Sequence, residues 1–143
     1  MLLWRISNYA DLIGTGGLLF PGRWHSAGRP IVYLAESPAG ALVEILVHLD
    51  RDNLPDRFQL IGVETGDMTI EQAPPLIAGW ENDVRLSRAA GDEWLGAGRT
   101  AALRAPSAIL PHSWNVLLNP QHSEAALARI VSVESVPLDS RLT

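Results

Sequence analysis

Six apolar runs of strand length and two stretches of helical spacing share this chain, and they do not alternate along it. Residues 2–6, 31–35, 58–64, 107–110, 115–118 and 129–133 read as strands, with apolar and β-branched residues set between glycine, proline and asparagine. Ser37 followed by Pro38 is an N-cap with a first-turn proline, which predicts a helix from there to about Asp50. A second helix is predicted over 82–95 from the spacing of Val84, Leu86, Trp94 and Leu95, interrupted by Gly91. Residues 14–30 read as a glycine-rich loop, 65–79 with Pro74 and Pro75 as irregular, and Asn119-Pro120 as a turn. A doubly wound sheet needs strands and helices in turn, so this order predicts an α+β fold. Glycine and proline are spread evenly, with no repeat or linker, and residues 1–143 read as one domain.

Composition closes several routes. The 143 residues are 47% hydrophobic and 19% charged, enough for one sizeable core. A net charge of -5 and a pI near 5.2 disfavour direct nucleic-acid binding, which rests on neutralising phosphates. There is no cysteine, hence no disulfide, thiolate metal site or cysteine nucleophile. All 11 cationic side chains are arginines, and the lack of lysine removes Schiff-base chemistry and the P-loop lysine together. No apolar stretch reads as a membrane span or signal peptide, and a cytoplasmic protein is expected. His25, His48, His112 and His122 lack the spacing of a metal site, and no metal is expected. No G-x-S-x-G, H-E-x-x-H or complete G-x-G-x-x-G is present.

Four places remain where the residue types suit chemistry. Glu44 sits inside the apolar run 41–47, where a carboxylate is costly unless paired, exposed or useful. With Gly40, His48 and Arg51 it forms one helix stripe, which faces either solvent, with His48 as an i,i+4 partner, or a cleft. Arg23 lies in a loop with Gly22 and Gly28, which suits either a mobile surface loop or a pyrophosphate site. Tyr33 shares a strand side with Ile31 and Ala35, opposite Val32 and Leu34, as a core tyrosine with a satisfied hydroxyl also would. Ser107 follows Pro106, and Asn119-Pro120 precedes His122, both also readable as turn chemistry.

The order of these elements is Gly22-Arg23-Trp24, Tyr33, Glu44 in its apolar helix, Pro106-Ser107, then Asn115-x-x-x-Asn119-Pro120-x-His122. That ordered set resembles the RES domain family over nearly the whole chain, from Leu3 to Asp139. One departure is His25, where the family usually carries asparagine after Arg-Trp. The resemblance implies a fold similar to ADP-ribosyltransferase toxins, a mixed β-sheet core with flanking helices. It also implies the toxin of a bacterial type II toxin-antitoxin pair, with an Xre-like antitoxin as partner and NAD+ as substrate instead of a bound cofactor.

Carried over residue by residue, the resemblance implies Glu44, Arg23 and Tyr33 as catalytic residues. Arg23, Tyr33, Ser107, Asn119 and His48 are implied as the NAD+-binding set, with Ser107 holding the glutamate or the ribose in place. Nicotinamide leaves NAD+ as a neutral amide, so one carboxylate that stabilises positive charge on the ribose suffices where most glycosidases need two. Two outcomes share that step: hydrolysis, which depletes NAD+, and transfer of ADP-ribose to a cellular protein. A reading of another class is a non-catalytic partner-binding domain of the same fold.

Overall fold

A computed structural model of the chain describes residues 1–142. Strands β1 (Leu2–Ile6), β2 (Val32–Ala35), β3 (Arg57–Glu64), β4 (Ile70–Gln72), β5 (Ala102–Pro106), β6 (Trp114–Leu118) and β7 (Arg129–Pro137) form one seven-stranded sheet. Its order is β4-β5-β6-β2-β1-β3-β7, antiparallel throughout except for the parallel pair β4 and β5. Helices α1 (Thr15–Leu19), α2 (Pro38–Leu46) and α3 (Val84–Ala97) complete an α+β fold. None of these helices is long and apolar enough to cross a membrane.

Period-2 alternation splits the core across the two faces of the sheet. Val32 and Leu34 of β2, and Val116 and Leu118 of β6, join Leu3, Ile61 and Val63 on one face. Tyr33 and Leu117 point the other way, onto a cluster built around Trp24, Trp80 and Trp94. Helix α3 covers this second face by burying Trp94 and Leu95.

Several sequence expectations need correction. The strand expected over 107–110 lies wholly before it, at Ala102–Pro106, where alanines hid it. Alanine is a weak strand former, and here complete burial between β4 and β6 overrides that preference. Helix α2 is capped by Ser37 as expected, its hydroxyl accepting the Gly40 N–H at 2.9 Å, but it ends at Leu46 instead of about Asp50. Asp50 instead caps the next turn, accepting the N–H of Asp52. Residues 14–30 contain α1, entered through Gly14 at φ 78°, and 65–79 contain β4. Strand β7 runs on to Pro137. Gly91 does not interrupt α3, for a reason that lies in the site.

Candidate active site

The loop that carries Arg23 has no regular structure of its own, and one face of α3 holds it. Arg88 Nε donates to the Gly22 carbonyl at 2.8 Å, and Ser87 Oγ donates to the Arg23 carbonyl at 2.6 Å. Asp92 accepts from both the backbone N–H and the hydroxyl of Ser26, at 2.8 and 2.6 Å. Between these anchors the Trp24 carbonyl lies against Gly91 so closely that a Cβ there would stand 1.6 Å from its oxygen. A side chain at position 91 is sterically forbidden, and the glycine permits the close approach. The Trp24 ring is buried and tilted against Trp80, with centroids 5.5 Å apart.

That bed aims the loop at Tyr33. The Tyr33 hydroxyl accepts the Trp24 N–H at 3.1 Å and lies 2.7 Å from His25 Nδ1. His25 is 2% exposed, and its Nε2 lies 3.1 Å from the Gly17 carbonyl, which can only accept. Nε2 therefore carries a proton, and in the neutral ring Nδ1 accepts the hydrogen bond that the Tyr33 hydroxyl donates. The relay runs from Trp24 N–H through the Tyr33 hydroxyl to His25, and from His25 to Gly17. A side chain at Gly22 would break it, since a Cβ there would meet the Tyr33 oxygen at 2.4 Å. Burial, above all, pushes the Tyr33 phenol well above its ordinary value of 10, so it stays neutral.

Glu44 lies in the last turn of α2 and points across to β6 and the end of β5. Its Oε1 accepts from Ser107 Oγ at 2.8 Å and from Asn115 Nδ2 at 3.0 Å. The Ser107 oxygen itself accepts the Ile109 N–H at 3.1 Å, which turns its proton toward Glu44. Two donors converging on one oxygen fix the carboxylate's position. The i,i+4 pairing of Glu44 with His48 does not occur: the helix has ended, and Glu44 is held from the sheet instead.

Arg23, Tyr33, Glu44 and His48 line a single cleft of about 350 Å³, between the glycine-rich segment, β2 and α2. Arg23 donates to the Glu81 carbonyl at 2.9 Å, and among the described residues no carboxylate pairs with it. Its charge is therefore uncompensated at the cleft wall. Arg5 of β1 lines the same cleft; burial lowers its pKa, and it is a cation because an arginine guanidinium is not deprotonated in proteins. Ser107 stands behind Glu44, outside the cleft.

Asn119 lies away from the cleft. It lies at the far end of β6 from Asn115, buried, with its Oδ1 accepting the Gln121 N–H and its own N–H donated to the Ala101 carbonyl. It shapes a turn and does not reach the cleft. Sequence reasoning passed over Asn115, His25 and Arg5 as site residues. The i,i+4 offset of Asn115 from Asn119 gave no hint of which one faces Glu44, since strand residues that far apart lie on the same face but some 13 Å apart. His25 carried one signal, standing where the resembled family usually carries asparagine.

The comparisons with known proteins agree with this architecture. The RES domain family model matches residues 2–139. The chain is 49% identical to the protein named Toxin Res from Pseudomonas putida, covering 99% of each. It is 36% identical to the Prs ADP-ribosylating toxin of Sphingobium sp., covering 97% of this chain and 94% of that one. The crystal structure of the M. tuberculosis MbcT-MbcA toxin-antitoxin complex contains a chain of the same fold, with a TM-score of 0.77 at 16% identity. That match covers 95% of this chain and 84% of the other. With a family model spanning 2–139 and relatives similar from end to end, this chain belongs to the RES domain family.

Proposed function

We propose that this chain is the toxin of a toxin-antitoxin pair and that it cleaves the bond between nicotinamide and ribose in cytoplasmic NAD+. The observation that carries the reading is a carboxylate, Glu44, pinned by two donors at the wall of a cleft that also holds two arginine cations. Bond cleavage sends the electron pair to the nicotinamide nitrogen and leaves positive charge on the ribose. A carboxylate already oriented toward that charge lowers the barrier without reorganising. Arg23 and Arg5 supply the positive charge that a pyrophosphate needs. Tyr33 contributes the face of its ring, because the relay occupies its hydroxyl as both donor and acceptor. NAD+ is consumed as substrate, and the partner is an Xre-like antitoxin.

Nicotinamide release from NAD+ by the purified protein tests this, with wild type beside Glu44→Gln. Glutamine keeps the shape and loses the charge, so the expected loss in kcat is on the order of 10²- to 10³-fold. Equal release by both proteins would return Glu44 to a structural role, and no release by either would favour a partner-binding domain. A second reading, transfer of ADP-ribose to a protein, has its own support in a relative named for ADP-ribosylation. Radiolabel from NAD+ appearing on a lysate protein distinguishes it from free ADP-ribose.

A further inference from the structure

Glu44 and Asn115 are walls of two clefts. Besides the one described above, they line a second depression of about 280 Å³ on the side of the loop that follows β5. Its other boundaries include Glu36, Ala39, Val43, Leu110, His112 and Trp114. A further groove of about 320 Å³ runs along the same loop, past the exposed side chains of Ile109 and Leu110. His112, which lines both, is the one non-glycine among the described residues with left-handed backbone, at φ 65°. Such outliers cluster where a loop is held for a ligand.

We propose that this second cleft seats the acceptor of the transfer reaction, a segment of another protein presenting a hydroxyl or an amine. The inference rests on the NAD+-cleaving reading above and deepens its transfer branch. Water needs no cleft to reach a ribosyl carbon. A trough next to the carboxylate, with an apolar outer rim, fits a side chain and its neighbours along a chain. The charges select the nucleophile. Arg104 lies 4.0 Å over the Trp114 ring and is paired to Glu36 through two of its three nitrogens, Nε and Nη2, so its charge is spent within the wall. Glu44 then sets the local potential, which repels a carboxylate acceptor and accepts a hydrogen bond from a hydroxyl or an amine.

The step balances. The ribose C1′–N bond breaks with its electron pair going to nicotinamide, and an acceptor oxygen or nitrogen forms the new bond to C1′. The acceptor's proton passes to Glu44 and on to water, so NAD+ and acceptor give ADP-ribosyl acceptor, nicotinamide and one proton.

Ala39→Trp and Leu110→Asp obstruct the second cleft and its rim without touching the first. Labelled NAD+ is incubated with each purified variant and a bacterial lysate, and label on protein and the KM for NAD+ are measured together. The expected result is a loss of label of about tenfold or more with the KM for NAD+ unchanged. Label retained in both variants, or lost in step with a raised KM, overturns the proposal. Wild type that releases nicotinamide but labels no protein also overturns it and leaves NAD+ cleavage standing, whereas no nicotinamide release at all fells the underlying reading.

Discussion

His25 and Tyr33 act as a unit, and that has a measurable signature. Each side chain satisfies the other inside a site with no room for rearrangement, since Gly22 already abuts both. His25→Leu removes the acceptor of the Tyr33 proton, and Tyr33→Phe removes the proton itself. Residues sharing one hydrogen bond couple by about 0.5–3 kcal/mol. The double variant is therefore expected to cost clearly less than the sum of the two singles, in kcat/KM for NAD+ cleavage. Strict additivity would show that the pair does not act together. This pairing was not legible in the sequence, because a buried histidine eight residues from a tyrosine has no spacing rule. Glu44 was legible, since a carboxylate within an apolar helix is conspicuous whatever surrounds it. Of its partners, Ser107 was reached through the resemblance alone and Asn115 not at all, because both lie more than sixty residues away in the sequence.

At the level of elements, α3 serves the site without contributing a group to the cleft. Gly91 is where helix propensity and packing disagree. Alanine would favour an isolated helix by about 1 kcal/mol, yet its methyl would collide with the Trp24 carbonyl. Gly91→Ala is expected to destabilise the fold by about 1–3 kcal/mol through overpacking. It should also raise the KM for NAD+ by displacing the Arg23 loop, and thermal unfolding together with steady-state kinetics checks both. A variant as stable as wild type with the same KM would mean the loop gives way freely. The strands were read from period-2 patterns wherever β-branched residues marked them. Strand β5 escaped because its alanines carry no such mark, and β4 because three residues are too few to show a period. The end of α2 was misplaced because Asp50 reads equally well as a last helical residue and as the cap of a new turn.

Over the whole molecule, acid stability is set by surface carboxylates whose pKa values are lowered in the fold. Hydrogen bonds from the chain's own N-terminal ammonium hold Glu64 down, and those from Arg85, Arg99 and Arg141 hold down Asp83, Glu93 and Asp139. Glu124 is held down chiefly by the Thr69 backbone N–H. A lowered folded pKa adds stability above the ordinary values of 3.8 and 4.5, and that stability is lost as pH falls through the folded values. The Tm is thus expected to hold between pH 7 and about 5 and to decline below about 4, modestly, since these pairs are exposed. A Tm that rises on acidification would contradict the assignment. Assembly order follows from the same long reach of the contacts. Arg23, Tyr33 and Glu44 all lie in the first third of the chain, yet the loop is bedded only by residues 87–92 and the carboxylate is pinned only by residues 107 and 115. A polypeptide still growing on the ribosome holds every charged group of the cleft long before it holds their geometry, which is complete only once residue 115 has been added.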